Sequence, residues 1–470
     1  MRNLSILFLI TPILCATLCA QQPQDTKMNK SPFLPWPKVR PSTLIGPDGN
    51  LDAYQEAYSK DLSYVISHAN TDPALVGDFT VPDPLVNPET GVRIASADEW
   101  PALREVHMAN LKKYLFGELP PPPQSRDVEV LIEKEVFEGT AIMRIVKLTL
   151  HNDGKSHEIV VLCHIPKRRN PVPCIVAMSF PGNHATTDDQ DVPLSKWPEM
   201  QSARGSQKNR WDYRMMTDAG YAVVTCARYD FYPDNILGRK DSIFRLFHDE
   251  EELGVNARQY TAISGWAYGY TILRELAETF PEIDPARIWA HGHSRLGKTA
   301  LWTIANDPKW AGATSNCSGA AGAALSRHNY GESLECIDYF LEWWVTEECS
   351  KFAATPEELP FDQNILIAMA APRPMLVTSA TEDKWADPPG QFLAVKGAEP
   401  AYEILGKKPL PSQTYPKIQE LLMSDGLAYY ERYGIHDVTD LDWIYTIRFF
   451  EYATGLKGER IEGWNEKILE

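Results

Sequence analysis

The chain is poor in cysteine, with 8 in 470 residues. Two of these, Cys15 and Cys19, fall in the first twenty positions. The others are Cys163, Cys174, Cys226, Cys317, Cys336 and Cys349. So few in so long a chain are no substitute for a hydrophobic core. Cys163, Cys174 and Cys226 sit in apolar, strand-like runs and read as buried thiols. Whether Cys336 and Cys349 pair is left open. No C-x-x-C and no His-rich spacing occurs, so no metal site is expected. Long basic runs are also missing, and the formal charge is −17. That field repels nucleic acid and anionic membranes. Beyond residue 20 no run approaches eighteen apolar residues, which excludes a membrane span. No internal repeat is visible, so a repeat array is not expected.

What is present is ordinary globular composition, 44% hydrophobic and 23% charged. Residues 1–20 form a leader: Arg2 is followed by a largely apolar stretch, Leu4 to Leu14, and a small-residue exit at Ala20. This is the pattern of a secretory signal peptide, and it predicts a secreted or periplasmic protein. A lipid-bearing Cys19 lacks the usual small residue before it. Pro32, Pro35, Pro37, Pro41 and Pro47 mark a polar surface lead-in. Helical spacing follows, clearest from Glu99 to Phe116, with Trp100, Leu103, His107 and Leu111 on one stripe. Ser96 and Asp98 are candidate N-caps and Gly117 a C-cap. His107 on that stripe reads as a packed core residue. Pro120 to Pro123 form a rigid linker. The domain reading is therefore 1–20 leader, 21–124 N-terminal segment, and 125–470 catalytic domain.

Antiparallel strands are expected at Val128–Phe137, Ala141–His151 and His157–Ile165. From Pro173 onward strands alternate with helices: Cys174–Phe180, Tyr221–Phe231, a helix over Gln259–Thr279, Ile288–His291, a helix over Lys298–Asn306, Ala313–Cys317, Met375–Ala380, and a closing helix over Asp440–Thr454. Such alternation predicts a mostly parallel sheet covered on both faces. The order predicts an α/β-hydrolase fold: a three-layer αβα sandwich with an N-terminal antiparallel portion.

Ile288 to Trp302 organises the chemistry. An apolar strand runs into Gly292-His293-Ser294, and a helix follows. This is the shape of a nucleophile elbow. The usual pattern is G-x-S-x-G, yet here Leu296 stands where the second glycine belongs and Gly297 comes one later. Serine needs a base to take its proton. The histidines after Ser294 are His328 and His436. His436, in the loop before the last helix, has the place of the base. His328 follows the elbow too closely and reads as a wall or surface residue. Asp383, just past a strand, is placed to orient the imidazole, with Glu382 and Asp387 as rivals. Oxyanion donors are expected from the Arg295 backbone N–H, from the Ser179–His184 loop, and from the Arg295 guanidinium. The alternative for that guanidinium is a salt bridge to a nearby carboxylate. His184 in that loop reads as structural.

Together these residues resemble the glucuronoyl esterases, carbohydrate esterase family 15, whose elbow reads G-C-S-R-x-G-K. Gly292, Ser294, Arg295, Gly297 and Lys298 match it. The similarity extends through Phe180-Pro181-Gly182-Asn183-His184, Tyr229-Asp230-Phe231, Ser318 to Arg327, Glu332, Asp383 to Asp387, and the histidine loop. The resemblance implies Ser294 as nucleophile, His436 as base and Arg295 as oxyanion donor. It implies that Lys298, Glu332 and Trp385 bind the hydroxyls of a glucuronate ring. Two departures matter. Many members carry the acid as a glutamate where Cys317 stands, which leaves Asp383, the alternative seen in some bacterial members. His293 and Ile435 replace a cysteine pair, so the fungal disulfide is absent.

The expected function is a Ser-His-Asp carboxylic-ester hydrolase of the 4-O-methyl-glucuronoyl methylesterase type, needing no metal or cofactor. Its expected partner is a glucuronate-bearing polysaccharide, glucuronoxylan or a lignin–carbohydrate ester, met by a monomer without nucleic acid or membrane. The alternatives are a carbohydrate acetyl esterase and a catalytically silent carbohydrate-binding relative, the latter prompted by Cys317.

Overall fold

The strand Val172–Ser179 (β4) is buried at every position. A strand hidden on both faces must lie inside a sheet with helices above and below. The computed structural model, which describes residues 52–465, shows that arrangement. The leader and the proline-rich lead-in up to residue 50 lie outside the described residues.

Ser125–Val136 (β1), Ala141–Asn152 (β2) and Lys155–Pro166 (β3) form an antiparallel meander. Ala222–Ala227 (β5) pairs antiparallel with β3 and parallel with β4. Ile283–His293 (β6), Gly312–Asn316 (β7) and Met375–Ala380 (β8) continue the parallel block. Leu427–Arg432 (β10) closes it, and Leu422–Met423 (β9) pairs antiparallel outside. The order is β1-β2-β3-β5-β4-β6-β7-β8-β10-β9 in one ten-stranded sheet.

Alternation along the strands divides the core. Val176 and Met178 join one apolar cluster, Ile175 and Ala177 the other. The helices follow that division. Asp52–His68 (α1), Trp100–Leu111 (α2) and Tyr213–Asp218 (α3) precede β5. Ala262–Ala277 (α4), Arg295–Asn306 (α5), Leu334–Phe340 (α6), Gln363–Ala368 (α7), Pro388–Ile404 (α8) and Asp440–Thr454 (α9) follow it. The first cluster takes residues of α2, α4, α5, α7 and α8, the second those of α3 and α9. Trp289 anchors the second layer, fully buried, its ring edge-on to Phe449 and Phe450 at 5.9 and 4.7 Å. Removing such a ring from a core costs about 3–5 kcal/mol. This is the α/β-hydrolase fold.

The expected strand Tyr221–Phe231 is shorter. Its last part turns into a 3₁₀ helix over Arg228–Asp230. The helical stripe from Trp100 ends in a π turn over Lys112–Phe116, capped by Gly117 at φ 75°. Ser96 and Glu99 make the reciprocal capping box at its start. His107 is fully buried, its Nε2 2.9 Å from the Pro84 carbonyl. α1 packs on α6, with Tyr58 edge-on to Phe340 at 5.6 Å. The Gly331 N–H donates to the Asn70 carbonyl at 2.7 Å. The N-terminal segment thus braces the loop that carries Glu332.

Candidate active site

Ser294 stands between β6 and α5 at φ 58°, ψ −128°. A non-glycine residue there is strained by roughly 1–3 kcal/mol. The surroundings enforce the turn. The Ser294 N–H donates to the Asn316 carbonyl at 2.8 Å, and the Ser294 carbonyl accepts from Gly297 N–H at 2.8 Å. A Cβ on Gly292 would lie 1.9 Å from the Leu296 carbonyl oxygen. One on Gly297 would lie 2.9 Å from the Ser318 Cβ. The crowding after the serine therefore falls at Gly297, and Leu296 is free to be a core residue, 1% exposed. That explains the shifted glycine.

His436 lies in the loop between β10 and α9. Its Nδ1 is 2.6 Å from Asp383 Oδ2. Its ring packs 4.5 Å from that of His293, the residue before the serine. His436 is one-quarter exposed at the side chain and Asp383 is buried, so the imidazole joins solvent to a shielded carboxylate. His293 is pushed far below the ordinary histidine range by burial, then by His436 and Arg210. It stays neutral beside His436, and its Nδ1–H donates to Asn316 Oδ1.

Of the rival acids, Asp387 is taken elsewhere. It caps α8 through Gly390 N–H at 2.9 Å and meets His328 Nδ1 at 2.8 Å. His328 is therefore not a surface residue. It is 8% exposed and locked in a second imidazole–carboxylate pair. His184 is buried, with Nε2 3.0 Å from the Ser202 carbonyl.

Cys317 follows β7 at φ 47° and is 1% exposed. Burial, then the neighbouring Asp383, pushes its thiol well up, so it stays protonated. Its sulfur, an Asp383 oxygen and a His436 nitrogen lie within 4.8 Å of one another. Two zinc ligands at about 2.0 Å from one ion stand at least about 2.8 Å apart. The 2.6 Å His436–Asp383 contact is shorter than that. That pair of atoms is at hydrogen-bond distance and shares a proton.

Arg295 opens α5, so its backbone N–H has no acceptor within the helix. Its side chain takes the salt bridge that was the competing expectation: Nη1 donates to Asp234 Oδ2. The guanidinium lies over Trp344 at 4.7 Å and near Phe180 at 5.8 Å. Its Nε–H is buried and has no acceptor among the described residues. The salt bridge leaves that donor unoccupied.

Lys298 is 3% exposed, one helical turn on. Its ammonium donates to the Ser318 and Ala320 carbonyls at 2.6 Å each and to Glu332 Oε2 at 3.0 Å. Burial pulls its pKa down and Glu332 pulls it back. All three protons are occupied, so a sugar hydroxyl reaches Lys298 only by replacing one of these acceptors. In this arrangement Lys298 braces Glu332. Glu332 N–H in turn donates to the Trp385 carbonyl at 2.8 Å. Trp385 packs at the edge of the cluster of Val65, Cys336, Tyr339 and Phe340. Its indole N–H has no acceptor among the described residues.

Sequence reasoning passed over Asp234. It sits in Tyr232-Pro233-Asp234-Asn235, which reads as a turn, and no spacing signals its partners.

Comparison with known proteins identifies the family. A family profile described as "Glucuronyl esterase, fungi" matches residues 213–406. A carbohydrate esterase designated MZ0003, from an unknown prokaryotic organism, is 33% identical over 82% of this chain and 91% of its own length. A 4-O-methyl-glucuronoyl methylesterase of Schizophyllum commune is 24% identical over 71% of this chain and 76% of its own. The solved glucuronoyl esterase from Solibacter usitatus superposes with a TM-score of 0.76 and 30% identity, covering 81% of this chain and 100% of that one. With a relative of this similarity along nearly its whole length, the chain belongs to carbohydrate esterase family 15, the glucuronoyl esterases, which are carboxylic ester hydrolases.

Proposed function

We propose that this protein hydrolyses (4-O-methyl-)glucuronoyl esters through a Ser294–His436–Asp383 acyl-enzyme mechanism. The observation that carries this reading is the His436–Asp383 contact, with the His436 ring packed on His293, the residue before a serine strained on an elbow. The names of the relatives support the uronate side of the substrate.

His436 draws the Ser294 proton to Nε2 as Oγ attacks the C6 ester carbonyl. Asp383 holds the Nδ1–H and stabilises the imidazolium. The Arg295 backbone N–H and guanidinium face the developing oxyanion. The proton then passes from Nε2 to the departing alcohol oxygen, leaving an acyl-enzyme. Water enters, gives its proton to Nε2 and attacks the acyl carbon. Ser294 Oγ leaves with that proton, and the uronic acid is released. Glu332 and the Trp385 indole offer an acceptor and a donor to ring hydroxyls, with Lys298 behind them. The natural context we propose is a lignin-type alcohol esterified to glucuronoxylan, met outside the cell or in the periplasm after removal of residues 1–20. Asp383 beside His436 supports an active enzyme over a silent carbohydrate-binding relative.

The test is hydrolysis of benzyl glucuronate by the wild type and Ser294→Ala, with acetylated xylan in parallel. Turnover of the glucuronate ester that falls at least about 10⁴-fold in the variant is expected. Preference for acetylated xylan, or full activity in Ser294→Ala, would overturn the reading.

A further inference from the structure

Asp234 is 3% exposed and lies in the turn after β5. Four donors converge on it. Oδ2 accepts from Arg295 Nη1 and from Arg228 Nη1, the latter at 2.7 Å. Oδ1 accepts from the indole N–H groups of Trp343 and Trp344 at 2.8 and 2.7 Å. A carboxylate offers about four lone-pair sites, so this one is saturated. It has no room to swing. Burial would raise its pKa, but Arg295, Arg228 and the two indoles hold it down, to about 2. It is therefore an anion near neutral pH.

The geometry of Arg295 follows from that saturation. Trp344 plays two parts: its N–H fixes Asp234, and its ring lies under the guanidinium at 4.7 Å. Phe180 closes the other approach at 5.8 Å. One carboxylate oxygen and two rings thus define the plane of the guanidinium. Nη1 is used, and the buried Nε–H is left without an acceptor. An unpaired buried donor is costly unless something fills it during the reaction.

We propose that Asp234 is the positioning residue that fixes the Arg295 guanidinium, so that its unoccupied N–H edge meets the oxyanion. The inference rests on the reading of Arg295 as an oxyanion donor. Preorganisation explains the arrangement: a long arginine side chain stabilises a developing charge only if it need not reorganise at that moment. Arg228 belongs to the same device. It holds the second lone pair of Oδ2 and keeps the buried carboxylate paired.

The test measures kcat and KM on methyl glucuronate for Asp234→Asn, Arg295→Gln and the double variant. An asparagine keeps an oxygen for the indoles and loses the anchor for the guanidiniums. Arg295→Gln should lower kcat about 10²–10³-fold. Asp234→Asn should lower it about 10–10²-fold with KM within about threefold, since the ground-state carbonyl carries no charge. The double variant should match Arg295→Gln, because a residue acting through another adds nothing once that one is gone. Losses that multiply, or an Asp234→Asn enzyme with unchanged kcat, would overturn the proposal. Full kcat in Arg295→Gln would instead overturn the oxyanion reading beneath it. If Asp234→Asn does not fold, Trp343→Phe removes one donor and keeps the ring. It should lower kcat severalfold in the wild-type background and not in Arg295→Gln, and an unchanged kcat or multiplying losses would overturn the proposal.

Discussion

His436 meets Asp383 through Nδ1 and Oδ2 at 2.6 Å, while the Cys317 thiol, close to both, stays protonated. A neutral thiol cannot stabilise an imidazolium. In the proposed mechanism the carboxylate carries the charge compensation, and the two neighbours should differ sharply on substitution. Asp383→Asn should lower kcat on benzyl glucuronate about 10³–10⁴-fold, and Cys317→Ala less than about threefold. The reverse order would remove Asp383 from the acid role.

The backbone at Ser294 predicts a conflict between stability and activity. Glycine adopts φ 58°, ψ −128° without the Cβ clash. Ser294→Gly should therefore be more stable than Ser294→Ala by about 1–2 kcal/mol, with both inactive. Urea midpoints of the two variants give the comparison. Equal midpoints would mean that the elbow stores no strain.

Lys298 and Glu332 form a buried pair, with side chains 4% and 10% exposed. Glu332→Ala leaves an ammonium with two carbonyl acceptors and no counter-ion. It should cost about 3 kcal/mol in unfolding free energy and raise KM. Glu332→Gln keeps an acceptor and should cost less. Denaturant unfolding with parallel kinetics separates the two effects.

Trp385 offers an indole N–H that no described residue accepts. Trp385→Phe keeps the ring and removes the donor. The loss of one hydrogen bond worth about 0.5–1.5 kcal/mol should raise KM about 2–12-fold and leave the fold intact. A change in melting temperature with KM constant would make Trp385 a packing residue only.

Acid titration of Asp234 has a definite sign. Its pKa falls from 3.8 to about 2 on folding. The stabilisation is present above pH 3.8 and is lost as the pH drops through about 2. That amounts to about 2 kcal/mol. The gap in urea midpoint between wild type and Asp234→Asn should thus be wider at about pH 6 than at about pH 2.5. A gap that does not change with pH would place the carboxylate's pKa at its unfolded value.

Much of this was readable in the sequence because it depends on local spacing. Gly292, Ser294 and Gly297 signal a turn whose crowding is set within a few residues. The strand before it and the helix after it follow from apolar runs. What spacing does not carry is direction and distant partnership. Lys298 lies one turn beyond the serine, but only the fold shows its ammonium turned toward the Ser318 and Ala320 carbonyls. His328 finds Asp387 across 59 positions. Asp234 collects partners from Arg228, Arg295, Trp343 and Trp344, up to 110 positions away. The strand expected from Tyr221 stops at Ala227 because the charged Arg228 and Asp230 interrupt the aromatic run of Tyr229, Phe231 and Tyr232, and the chain turns there into a 3₁₀ helix that leads to Asp234.

The register of β7 and β8 has a consequence for how such enzymes diverge. Asn316 pairs with Thr378 in adjacent parallel strands. Cys317, one residue past that pair, and Asp383, in the loop that follows β8, both come to the His436 ring. A single imidazole can be served from either strand. An acid beside His436 is then a place that two segments reach, and a carboxylate supplied from either would meet the same imidazole.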